Sequence, residues 1–192
     1  NRMNRISHIE GLRAYLAFWV VIDHVLGTSG YSVSMLSGIF RVVRQGWFAV
    51  DIFIIISGFV IFYLLDHRQQ SYREFIIRRF FRLWPLFITL FATAIPVSLV
   101  SLSNFSSFAE VFPFSAIGDG AAGVEGIQLW WSNIYAHIGL HLPMLHGVLP
   151  DTVLPSAPSA FLGPAWSVSL EWQFYLIAPF IFAFLVSKKK FA

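Results

Sequence analysis

Four apolar runs, residues 12–27, 47–65, 80–103 and 166–187, govern what this chain can fold into. Each is near the roughly 17 to 25 residues a helix needs to cross the hydrocarbon core of a bilayer. In lipid no water serves the backbone N–H and C=O groups, so a spanning segment has to satisfy them within itself, as a helix. Composition agrees: of 192 residues 57% are hydrophobic and only 12% charged, whereas soluble domains carry about a quarter. The 21 Phe and 7 Trp would crowd a soluble core of this size, but lipid accepts them and the interface favours Trp. The expected fold is therefore all-α, a multi-pass transmembrane helix bundle. The absence of cysteine removes disulfides, thiolate metal sites and thiol nucleophiles.

Basic residues set the expected topology. Arg2 and Arg5 precede the first run, Arg68, Arg73, Arg78, Arg79 and Arg82 lie between the second and third, and Lys188, Lys189 and Lys190 follow the fourth. Placing all of them in the cytoplasm gives four spans in the cell inner membrane, a cytoplasmic N-terminus, and residues 104–165 outside. The net charge of +3 is thereby a topological signal and no argument for a nucleic-acid partner. A signal peptide over residues 1–27 competes with this, but internal Asp23 and His24 and the want of an A-x-A-like site argue against it. A further stretch, "LWWSNIYAHIGLHLPMLHGVL" (129–149), is long enough to span. Counting it would move the lysine run outside, so an interfacial or re-entrant segment is expected. Its His137 and His141 have the spacing of a metal pair, yet no acid completes a site and Pro143 follows. His137, His141 and His146 are expected to be interface histidines, with no metal. Gly, Pro and Ser mark residues 103–126 and 149–164 as loops.

Ionisable groups inside these runs need a partner or a task, because each costs at least a few kcal/mol in lipid. Arg13 and His24, eleven residues apart, would share one helical face about 16 Å apart along the axis; Glu10, Ala17 and Val20 lie near the same stripe. A polar group at each end of one face suits a solvated or ligand-filled passage, although two snorkelling helix ends would look alike. Asp23 would point about 100° away from His24. In "REFIIRRFFRLWP", Arg78, Arg79 and Arg82 are three and four apart, a cationic patch able to hold phosphate oxygens, or simply anionic lipid. In "PAWSVSLEWQFYLIAPF", Glu171 sits within an apolar run and should meet an arginine or histidine.

Four stretches in order resemble the motifs of the acyltransferase 3 family of membrane enzymes, which O-acylate sugars and other acceptors. They are "IEGLRAYLAFWVVIDH", similar to an I-D-G-L-R-A opening; "WFAVDIFIIISGFVI", similar to G-V-D-x-F-F-x-x-S-G-F; "RRFFRLWP", similar to R-R-x-x-R-x-x-P; and "WSVSLEWQFY", similar to W-S-L-S-V-E-x-Q-F-Y. The resemblance implies that His24 is the histidine of acyl transfer, Arg13 its paired arginine, Arg78, Arg79 and Arg82 the arginines associated with acyl-CoA, and Glu171 the family's acid. Trp172 stands where a second acid is common, and Glu10 where Asp is frequent. The matched motifs are those of the N-terminal half of the family's bundle.

From that resemblance the expected reaction moves an acyl group, acetyl foremost, from acyl-CoA to a carbohydrate hydroxyl, with His24 as general base and Arg13 and Glu171 in support. No permanently bound cofactor is expected; acetyl-CoA or another acyl-CoA is the donor substrate. The expected partners are membrane lipid, a carbohydrate or lipid-linked sugar acceptor and the family's C-terminal half. The residues alone leave two alternatives open: half of a transporter or flippase, in which Arg, His and Glu line a passage, and an inactive remnant.

Overall fold

A computed structural model describes residues 7–28, 36–68, 70–111 and 120–189. Every regular element among them is helical: α1 (Ser7–Thr28), α2 (Ile39–Val43), α3 (Gly46–His67), α4 (Tyr72–Val111), α5 (Gly120–Ser132), α6 (Ile134–His141), a 3-10 turn (Gly163–Ala165) and α7 (Trp166–Lys189). Among the described residues three segments are long and apolar enough to cross a membrane: Gly46–His67, Tyr72–Asn104 and Gly163–Val186. They coincide with three of the four expected spans. The first run also forms a helix, α1, of 22 residues, but Arg13, Asp23 and His24 dilute its apolar character and it is not among the three. Among the described residues the candidate spans thus account for three of the expected four.

Two boundaries differ from expectation for reasons visible in side chains. The third span begins earlier because Ser71 and Glu74 form a capping box: the Glu74 carboxylate accepts from the Ser71 N–H at 3.1 Å, and the Ser71 hydroxyl oxygen accepts from the Glu74 N–H at 3.3 Å. The first part of the expected loop at 103–126 is helical instead, since α4 continues to Val111 and α5 starts at Gly120. The Ser101 and Ser103 hydroxyls and the Asn104 amide donate back to the Val97 and Val100 carbonyls at 2.9 Å. Residues that favour turns thus spend their hydrogen bonds on the preceding helical turn. The stretch 129–149 forms no single helix: α5 stops at Ser132, α6 covers eight residues, and turns follow.

The chain divides into two compact units, Asn1–Phe59 with Ser107–Gly120, and Val60–Ser106 with Ala121–Ala192. In the first, α1 is tied to the α2–α3 corner. The Trp19 indole N–H donates to the Val43 carbonyl at 2.9 Å, and Arg44 donates to the Asp23 carbonyl at 3.0 Å and to its carboxylate. In the second, Phe75, Phe87 and Phe91 of α4 pack with Trp172, Tyr175 and Ala178 of α7, Ile61 of α3 and Met144. Phe87 and Phe91 of α4 are four apart, and Trp172, Tyr175 and Ala178 of α7 three apart, spacings that put neighbours on one side of a helix. Phe81, Leu86 and Leu90 of α4 and Ile177, Phe180 and Phe184 of α7 are exposed. Lipid tails are as apolar as these side chains, so hiding them gains little and packing contacts hold the helices together instead.

At Gly46 an added Cβ would lie 2.8 Å from both the Cβ and the Oδ2 of Asp23. Gly46→Ala is expected to cost about 1–3 kcal/mol through overpacking. Gly139→Ala, with nothing within 4 Å of the new carbon, should gain about 0.5–1 kcal/mol of helix stability. Thermal unfolding of the two variants in detergent checks the contrast.

Candidate functional site

In the first unit α1 carries Arg13 and His24, and the structure gives them different surroundings. Arg13 is half-buried, with its guanidinium 4.4 Å from the Phe53 ring centroid, a distance at which the ring face attracts the cation. His24 is exposed. Its neighbour Asp23 is half-buried and ion-paired with Arg44, so the carboxylate that looked out of place in an apolar run is a structural tie. Arg44 entered neither the expected topology nor the expected site. It lies 21 residues from Asp23 in sequence, too far for helical periodicity to record the pairing.

In the second unit α4 places Arg78, Arg79 and Arg82 on successive turns but does not present them alike. Arg78 and Arg82 are exposed, whereas Arg79 is half-buried. Its guanidinium lies 5.6 Å from the Phe75 ring centroid and 5.4 Å from that of Tyr175. The Tyr175 hydroxyl donates to Glu171 one turn earlier on α7, and Arg79 is within electrostatic reach of the same carboxylate. Glu171, only 7% exposed, therefore sits with a donor and a nearby cation, as an acid in an apolar span must. Trp172 is buried edge-on to Phe80 at 5.7 Å. A second carboxylate there would have entered an aromatic core.

The histidines overturn the interface expectation: His137, His141 and His146 are fully buried in the second unit. The His141 and His146 rings stack at 4.2 Å, and Phe91 stacks on His141 at 4.5 Å. His141 Nδ1 is 2.8 Å from the His137 carbonyl and His146 Nε2 is 3.0 Å from that of Ala165; a carbonyl only accepts, so both nitrogens carry the proton. Ser169 anchors the adjoining loop to α7. Its hydroxyl donates to the Met144 carbonyl at 2.8 Å and accepts from the Gly147 N–H at 3.0 Å and the Gln173 amide at 3.1 Å. The sequence showed the three histidines but not their burial, because the rings packed around them come from α4 and the loop rather than from their own helix. Among the described residues, no three His, Asp or Glu side chains are arranged to hold a metal ion.

A family model described as an acyltransferase domain, that of acyltransferase 3, matches residues 6–192. The chain is similar to acyltransferase MdmB of Streptomyces mycarofaciens, 26% identical over 180 residues, covering 93% of this chain and 39% of the relative. It is 28% identical over 189 residues to peptidoglycan O-acetyltransferase OatA of Listeria monocytogenes, covering 94% and 25%. It is 26% identical over 187 residues to O-acetyltransferase OatA of Staphylococcus aureus, covering 95% and 25%. The chain thus spans between 25% and 39% of the length of these curated relatives. No solved structure matches it significantly.

Burial, and then the neighbouring His146, push the His141 imidazole down to about 4. The folded state thus binds this proton less readily than the unfolded chain, whose histidine titrates near 6.5. The contribution to stability is complete above pH 6.5 and is lost as the pH falls toward 4. At pH 5 the loss from this group is about 2 kcal/mol. Unfolding midpoints at pH 7 and 5 should show it, and His141→Phe should flatten the dependence.

Proposed function

The chain belongs to the acyltransferase 3 family, and from that membership we propose that it supplies part of the active site of a membrane-bound O-acyltransferase. The acceptor is a carbohydrate hydroxyl and the donor an acyl-CoA, acetyl-CoA foremost. The carrying observation is the last turn of α1, where Asp23 is committed to Arg44 while His24, the next residue, is exposed. Imidazole is the side chain best suited to act as general base near neutral pH. It removes the proton as the acceptor oxygen attacks the thioester carbonyl. The C–S bond then breaks, the acyl ester forms, and the imidazolium returns its proton to the departing thiolate. Arg13, held on the Phe53 ring, supplies positive charge along the donor. The helical separation of about 16 Å keeps it from sharing one substrate atom with His24.

The α4 arginines divide the remaining work. Arg78 and Arg82 are exposed and serve the CoA phosphates through charge-assisted bonds. Arg79 is turned onto Phe75 and Tyr175 and holds the Tyr175–Glu171 pair in place. By the distribution of basic residues, the arginines face the cytoplasm, where acyl-CoA is made. The relatives' printed activities, peptidoglycan O-acetyltransferase and O-acetyltransferase, support an acetyl group and a glycan acceptor.

Transfer of labelled acetyl from acetyl-CoA, followed in membranes holding the full-length natural protein, tests this directly. His24→Ala should lower the rate about 10²- to 10⁴-fold at unchanged protein level; an equally active variant sinks the role of His24. Arg78→Gln and Arg82→Gln should each raise the KM for acetyl-CoA about tenfold while leaving the unfolding midpoint in place. Arg79→Gln should instead lower that midpoint, by about 0.5–2 kcal/mol of lost cation–π attraction.

A further inference from the structure

The turns between α6 and α7 close over polar atoms that the protein itself leaves unsatisfied. Trp130 Nε1, both ring nitrogens of His137, His141 Nε2 and His146 Nδ1 are buried without a hydrogen-bond partner. Such groups are rare in folded proteins, and each one calls for a water, an ion or a ligand. The Ala165 carbonyl fixes the His146 tautomer and leaves a lone pair on Nδ1, whereas the His141 ring lies within reach of the Ala160 carbonyl as well as that of His137. The cluster therefore offers an N–H donor from Trp130, a fixed acceptor on His146 Nδ1, and one donor and one acceptor on His137 in either neutral tautomer. A cation fits this poorly. The indole N–H has nothing to give it, and the His141 and His146 rings lie face to face, 9° from parallel, instead of converging edge-on. A hydroxyl, which both donates and accepts, matches it.

Aromatic rings complete the surroundings. Phe161 sits among them, 5.6 Å from Trp130, 6.0 Å from Trp131, 5.8 Å from His137 and 6.1 Å from Phe91. Its φ of +62° is left-handed, a conformation rare for a bulky residue and held only where the surroundings impose it. Met144 and Ser156 in the same connection are left-handed as well. We propose that this cluster is a subsite for a hydroxyl-rich ligand, the sugar ring of the acyl acceptor, and that the Phe161 ring occupies the sugar's place while the loop is closed. The identity of the ligand rests on the acyltransferase reading; the unsatisfied atoms do not. Opening swings Phe161 out, relieves its backbone, and exposes a ring-lined site with a donor and acceptors, the usual make-up of a small-molecule pocket. Affinity is then reduced by the fraction of molecules that are closed.

Binding is measured without any acyl donor, by calorimetry on the full-length protein in detergent, with malto-, cello- and N-acetylchito-oligosaccharides as probes. Phe161→Gly removes the ring and suits the left-handed backbone, so it should tighten binding of at least one probe by about threefold or more. Trp130→Phe keeps a ring but removes the N–H, and should weaken that binding about fivefold at an unchanged unfolding midpoint. No binding by either the native protein or Phe161→Gly, or affinities that neither substitution moves, overturns the proposal. Acetyl transfer is assayed separately on the same preparations. Sugar binding that responds to both variants without any transfer sinks the acyltransfer reading and leaves the subsite standing.

Discussion

A backbone in apolar surroundings has to hydrogen-bond to itself, and every other feature of this chain is arranged around that demand. It makes the long segments helical and keeps them so through residues that usually interrupt helices. Pro85 and Pro96 lie inside α4, and Pro179 inside α7. The Thr89 hydroxyl donates to the Pro85 carbonyl at 2.8 Å and Ser98 to Ile95 at 2.6 Å, as expected where no water is present to compete. The same scarcity of water governs side chains. Trp19, Trp84 and Trp131 each spend their indole N–H on an oxygen elsewhere in their own unit, those of Val43, Leu142 and Ser98. Such bonds fix elements in place where burial of apolar area drives little.

Charge obeys the same rule, and its partners separate structural from chemical roles. Of the polar groups within α1, Asp23 pairs with Arg44 and Arg13 lies on an aromatic face, while His24 is exposed. Three arginines within five residues of α4 appear uniform in the sequence. Their helical positions turn one of them, Arg79, toward α7 and leave Arg78 and Arg82 outside. A change at Arg79 is therefore a change in packing before it is a change in ligand charge.

What could be read from residues and what could not follows from range. Spans follow from runs of apolar residues, but the start of α4 ahead of the expected residue 80 is set by the Ser71–Glu74 capping box, which an apolar run does not register. The four motifs pointed to the family that the match over residues 6–192 shows. The loop expected at 103–126 misled because Ser and Asn are read as breakers, whereas in an apolar setting they bond back to their own helix. The histidines misled for a different reason. Polar residues near the end of an apolar stretch suggest an interface, but Phe87, Phe91 and Phe161 enclose them from segments as far as 59 residues away in sequence.

By itself the sequence determined an all-helical membrane chain, the places of its apolar segments and the motifs of its family, because each of these depends on residues within a few turns of one another. Tertiary structure alone decided which charges are spoken for: Asp23 by Arg44, Glu171 by Tyr175 with Arg79 close by. It also decided that three histidines are buried with nitrogens unsatisfied. The physical reason is that pairing and burial belong to groups brought together from distant segments, and no local pattern records which partner a side chain will meet.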